Sequence, residues 1–88
     1  MYGITAQVSL YPLGEPDLSP AIDAAIGEIG RQGVDYRTGE MSTVLWGDDE
    51  KVFPALLGAF REAASRGHVV MTITVSNACP WPGKGGAR

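Results

Sequence analysis

Eighty-eight residues, 44% of them apolar and 19% charged, set the chain among single folded domains and exclude both a disordered segment and a second core. Seven basic residues against ten acidic ones leave a net charge of -3, without the basic surplus that phosphate contacts require, so no nucleic-acid partner is expected. The single cysteine, Cys79, excludes an internal disulfide, and no CxxC or Cys/His pair offers a structural zinc site. No apolar run approaches the roughly 20 residues of a bilayer span, and no basic-then-apolar leader opens the chain. The sequence therefore reads as cytoplasmic, without membrane insertion.

The first strand is expected over about residues 2–11. With a period of two, Ile4, Ala6, Val8 and Leu10 make an apolar face, and Thr5, Gln7, Ser9 and Tyr11 a polar face without charge. Pro12, Gly14 and Pro16 end it. Ser19 as cap and Pro20 at the first helical position announce a helix, whose stripe is Ile22, Ala25, Ile26 and Ile29. Gly33 reads as its C′ stop.

Residues 34–38 read as a short strand, residues 39–42 as a tight connection, and residues 43–46 as the returning strand of a hairpin. A second helix is expected from Asp49, capped by Asp48 or Asp49, with acidic residues at the positive end of its dipole. Its apolar positions are Val52, Phe53, Leu56, Leu57, Phe60, Ala63 and Ala64, and Gly67 stops it. The last strand covers residues 69–75. Val69, Met71, Ile73 and Val75 face one way; Val70, Thr72, Thr74 and Ser76 face the other. Residues 79–88, CPWPGKGGAR, read as an irregular tail beyond a domain of residues 1–78.

The order β-α-β-β-α-β gives an α+β, ferredoxin-like fold: a four-stranded antiparallel sheet with both helices on one face. The polar faces of the first and last strands then lie side by side on the uncovered side. A sheet face left to water usually carries Lys, Glu or Arg, and these two strands carry none. A second subunit packed on this face, as a dimer or tetramer, is one reading, and its small polar groups could hold a polar ligand. The other is that Thr and Ser simply suit strands and sit in water.

The segments VSLYPLG, LSPAI and GVDYRTGEMSTVLWGD, in that order, together with the Y-x-x-x-x-M-x-T-x-L-x-G spacing from Tyr36 to Gly47, resemble the thiamine-binding protein family. These are small proteins related to the hydroxymethylpyrimidine/thiamine-binding protein. The resemblance covers residues 4–76, and Trp46 departs from the polar residue expected there. It implies a ferredoxin-like fold, homo-oligomers by sheet-face packing, and binding of thiamine or its pyrimidine moiety without catalysis. The role it implies is sequestration, or delivery to a partner such as a vitamin transporter, with thiamine as ligand and no cofactor.

A thiamine site needs hydrogen bonds for the pyrimidine edge and a ring or carboxylate for the thiazolium cation. Gln7, Ser9, Thr43 and Thr74 are candidates for the first, Tyr36 or Trp46 for a ring, and Glu40 for the carboxylate. Each has a plainer role: Gln7 and Ser9 as interface filling, Tyr36 as core aromatic, Trp46 as interface packing, Glu40 as a surface partner of Arg37. No catalytic or metal residues are expected. His68 follows the helix stop without a partner in sequence, and Cys79 has no activating neighbour. The rival function is an oligomerising structural or regulatory domain with no small-molecule ligand.

Overall fold

The computed structural model describes residues 2–14, 16–39 and 42–78. Six elements follow in the expected order: β1 (Gly3–Pro12), α1 (Ser19–Arg31), β2 (Asp35–Thr38), β3 (Thr43–Asp48), α2 (Asp49–Ala64) and β4 (Val69–Ser76). The strands form one antiparallel sheet in the order β2-β3-β1-β4, so β1 and β3 are central and β2 and β4 are edges. This is the expected ferredoxin-like arrangement. The tail of residues 79–88, with Cys79 and Trp81, lies outside the described residues.

The period of two in β1 decides which side the helices cover. Ile4, Ala6 and Val8 are buried, with Leu10 packed beside them, while Gln7 and Tyr11 remain exposed. Register carries the division across the sheet. Thr5 pairs with Trp46 and Ser76, Gln7 with Val44 and Thr74, Ser9 with Thr72, and Tyr11 with Val70. Those side chains share the open side. Opposite them, Leu45 and Thr43 join the helix-covered core.

Both helices begin on an aspartate carboxylate. Asp17 Oδ1 accepts from Ser19 N at 3.1 Å, and Asp48 Oδ1 accepts from Glu50 N at 3.2 Å. The first differs from the expected Ser19 cap. Ser19 is already helical, Leu18 stands at the cap position without a side-chain bond, and the donor is satisfied from two residues upstream. Gly33 takes φ +80° just past α1, where a side chain would be strained. At the other end of the sheet Asp49 N donates to Tyr2 O at 2.7 Å and Tyr2 N donates to Asp49 Oδ1 at 2.8 Å, tying the start of β1 to the start of α2.

The helix–sheet layer is filled by small side chains. Ala21 and Ala25 of α1 and Ala55, Ala59 and Ala63 of α2 are buried, and the largest fully buried residues are Ile29, Leu45 and Val52. Here the expected composition of the second stripe is corrected. Val52, Leu56 and Ala63 are buried, but Phe53, Leu57, Phe60 and Ala64 are exposed, so both phenylalanines of the chain lie outside the core. The apolar arc of α2 is wider than the face one sheet and one neighbouring helix can cover. Pro54 stands inside this helix rather than in its first turn, removing one intrahelical bond.

Candidate functional site

Of the seven residues expected to contact a ligand, the six that are described divide between the two sides of the sheet. Gln7, Ser9, Trp46 and Thr74 share the open side, where Gln7 and Thr74 are direct cross-strand partners. Thr43 lies on the other side, 7% exposed beneath the helices. Tyr36 pairs with Leu45 and also belongs to the helix side. A Cβ placed on Gly30 would lie 3.5 Å from its ring and hydroxyl, so Tyr36 packs over the last turn of α1 rather than on the open face. Glu40 lies outside the described residues.

The open face is uneven. Its β1 and β4 positions carry no charge, whereas β2 and β3 place Asp35, Arg37 and Asp48 on the same side. One end is apolar, with Tyr11 and Val70 paired and both exposed. Thr5, between Trp46 and Ser76, has its hydroxyl oxygen buried without a hydrogen-bond partner.

The helix side holds a cleft of about 110 Å³ between α1 and the β2–β3 end of the sheet. Its walls are apolar, from Val8, Leu10, Ile22, Ile26 and Ile29, and Thr38, Ser42 and Thr43 stand along one lip. Ile22 and Ile26, half-buried members of the α1 stripe, owe their partial exposure to this opening. Thr38 and Thr43 pair across the β2–β3 ladder, and Gly39 N donates to Ser42 O at 2.8 Å, which fixes the lip. Gln7 Nε2 donates to Ser42 Oγ at 3.0 Å, so the open face and the cleft lip are joined through one side chain.

At about 110 Å³ the cleft is smaller than the roughly 150 Å³ cavity that encloses benzene and well below the roughly 300–1,000 Å³ of drug-sized sites, so it would hold a single ring only in part, open at the lip. Among the described residues no ionisable side chain lines the cleft. Its chemistry is therefore apolar contact along a flat body with hydrogen bonding at one edge. Thr38 and Ser42 were not among the residues singled out from sequence. The signal for Thr38 was the parity of the hairpin, since Thr43 inward requires its partner Thr38 inward; Ser42, next to Thr43, follows from no such parity, and its hydroxyl meets Gln7 of the open face.

A second cavity, of about 220 Å³, lies between the end of β1 and the ends of the helices, with Asp17, Arg66 and His68 at its rim. No Ser, Thr or Cys lines it, and the Asp17 carboxylate already caps α1. His68 is exposed, and its backbone oxygen accepts from Leu13 N at 2.8 Å. Among the described residues no group of three or more His, Cys, Asp and Glu side chains could hold a metal ion. No helix among them is long and apolar enough to cross a membrane.

A four-stranded antiparallel sheet with two helices on one side, an open face on the other and a small cleft between the layers defines an α+β, ferredoxin-like domain. The model of the YKOF-related family matches residues 4–82, and the chain belongs to that family. Among solved structures, hypothetical protein MJ1052 from Methanocaldococcus jannascii is 25% identical, with a TM-score of 0.81 over 99% of this chain and 89% of that one. A domain of unknown function, DUF77, from Bacillus cereus is 24% identical, with a TM-score of 0.77 over 85% and 75%. A Thermotoga maritima protein described as a candidate thiamine biosynthesis/salvage protein is 22% identical, with a TM-score of 0.76 over 84% and 82%. A comparison with curated proteins gives no match.

Proposed function

We propose that the chain is a non-catalytic binding protein for thiamine or its hydroxymethylpyrimidine moiety, serving sequestration or delivery in uptake or salvage. The observation that carries this reading is the small cleft beneath α1, open at one side and edged by Thr38, Ser42 and Thr43. An aminopyrimidine presents a flat apolar body and a hydrogen-bonding edge, and the cleft offers apolar walls and a hydroxyl lip. Family membership and the description of the Thermotoga neighbour support the same ligand class. At about 110 Å³ the cleft would take part of the pyrimidine, with the thiazolium at its mouth. A second copy over the uncharged β1/β4 half of the open face would complete the assembly.

Calorimetric titration with thiamine, hydroxymethylpyrimidine and thiamine pyrophosphate tests this directly. Saturable binding of the first two at micromolar concentration, about -8 kcal/mol, is expected. The pyrophosphate should bind more weakly, because among the described residues no basic side chain lines the cleft. No heat and no thermal stabilisation at millimolar ligand would leave the rival function, an oligomerising domain. That reading draws on the exposed Phe53, Leu57 and Phe60.

A further inference from the structure

The cavity of about 220 Å³ where the helix ends meet the sheet shares no lining residue with the cleft beneath α1. Four chain ends build its walls. β1 closes on Pro12, α1 opens through Pro20 and Ala21, α2 closes around Ala63, and β4 opens on Val69. Ala21 and Ala63 are buried and too small to fill the space between the two helix ends. Leu13 N donates to His68 O at 2.8 Å and ties the end of β1 to the start of β4. Pro12 and Pro20 bring no N–H, and Ala21, Ala63 and Val69 bring only aliphatic side chains, so these walls offer a ligand apolar contact.

Charge is confined to the rim. Asp17 stands just before α1, and Arg66 and His68 stand in the turn between α2 and β4; all three are exposed. Asp17 uses one oxygen as the cap of α1, where Oδ1 accepts from Ser19 N at 3.1 Å, and Oδ2 is left over. Among the described residues the side chains of Arg66 and His68 make no hydrogen bond or ion pair, either with each other or with Asp17. Opposite charges that line one small cavity without meeting select a ligand by sign. A simple anion gains Arg66 but faces the Asp17 carboxylate, and a simple cation gains Asp17 but faces Arg66. A molecule that carries both charges close together finds a partner for each.

We infer that this cavity binds a small α-amino acid with an aliphatic side chain, as the zwitterion. The carboxylate lies against Arg66, whose planar fork suits two carboxylate oxygens, with the His68 imidazole as a further donor. The ammonium lies against Asp17 Oδ2. The side chain enters between Ala21, Ala63 and Val69, and the volume sets its size. About 220 Å³ exceeds the roughly 150 Å³ that encloses benzene and falls short of the roughly 300 Å³ at which drug-sized sites begin. A branched side chain such as that of leucine suits this interval. The site stands whether or not the cleft beneath α1 takes a ligand.

Calorimetric titration of the whole chain with leucine tests the site, with isocaproate and isopentylamine as controls that carry one charge each. Leucine should bind with a Kd of about 1 mM or tighter, a modest affinity set by its few atoms. Each control should bind roughly ten-fold more weakly, having lost one charge-assisted hydrogen bond. Asp17→Asn keeps an oxygen for the cap of α1 and should weaken leucine by the same factor, as should Arg66→Gln. NMR shift changes on adding leucine should fall at Ala21, Ala63 and Val69 and leave Thr38 and Ser42 unmoved. No saturable heat at ten times the expected Kd, controls that bind as well as leucine, unchanged affinity in Asp17→Asn, or shifts centred on the cleft would each overturn the inference. The controls and the shift map of the wild type decide the matter even if a variant does not fold.

Discussion

Gln7 on the open face of β1 donates through Nε2 to Ser42 Oγ at 3.0 Å, bracing the lip of a cleft on the opposite side of the sheet. The contact explains how a residue outside the cleft can govern it. Gln7→Ala removes the brace. Because the pair is exposed, global stability should fall by no more than about 1 kcal/mol. Affinity for hydroxymethylpyrimidine should drop several-fold, read by calorimetry. Unchanged affinity would separate the cleft from the open face.

Thr43 gives the sharper test of the cleft itself. Thr43→Val keeps the shape and the strand preference while deleting the lip hydroxyl. Loss of one hydrogen bond to the ligand corresponds to about 1 kcal/mol, roughly five-fold in affinity. A titration in which Thr43→Val binds as the wild type does would place the ring elsewhere.

The fold was legible because its signals were redundant. Alternation in β1 and β4, acidic caps before α2 and the glycine stops Gly33 and Gly67 all agreed on one element order. Burial within α2 was less legible. The residues at 52, 56 and 63 and those at 53, 57 and 60 make one broad apolar arc in sequence, and only the position of the sheet divides it into core and rim. The candidate site was legible in part for a similar reason. Gln7, Ser9 and Thr74 follow from the parity of long strands, whereas Thr43 belongs to a short hairpin whose turn does not declare which way its first residue faces. Thr38, at the end of the expected strand 34–38, and Ser42, in the expected connection 39–42, are not seen to stand at one lip until the register Thr38 to Thr43 is known.

The close approach of the two helices rests on Gly58. A Cβ there would stand 2.8 Å from Glu28 Oε2 and 2.9 Å from Glu28 Cγ. Gly58→Ala would gain about 1 kcal/mol of helix propensity. It must also displace a carboxylate held by Arg31 and Gln32, and the net result should be a loss of about 1 kcal/mol. In a Glu28→Ala background the same change should instead stabilise by about 1 kcal/mol. Urea denaturation of the four proteins measures the reversal, and additive effects would exclude the contact.

Glu28 also sets an acid limit. Hydrogen bonds from Gln32 at 2.7 Å and from Arg31 at 2.6 Å hold its carboxyl below the ordinary 4.5. A depressed folded-state value means that its contribution is complete above pH 4.5 and is lost as pH falls through that lower value. The stability difference between wild type and Glu28→Gln should therefore be constant from neutral pH down to about 4.5, then shrink. Denaturation midpoints between pH 7 and pH 3 would show it. A difference that stays constant across that range would remove the linkage.

Thr5 presents the opposite situation, a polar group whose removal should help. Its hydroxyl oxygen is buried on central strand β1, between Trp46 and Ser76, with no partner. Covering a hydroxyl without a hydrogen bond costs stability, whereas valine has nearly the same shape, suits a strand and asks for no partner. Thr5→Val should raise stability by about 1 kcal/mol, which for a domain of this size is about 4–8 °C in Tm. The measurement belongs at low concentration, where copies are separate. A gain there that turns into weaker self-association at high concentration would show that the hydroxyl finds its partner across the open face. A loss of stability in the dilute protein would mean that Thr5 is already satisfied within one chain.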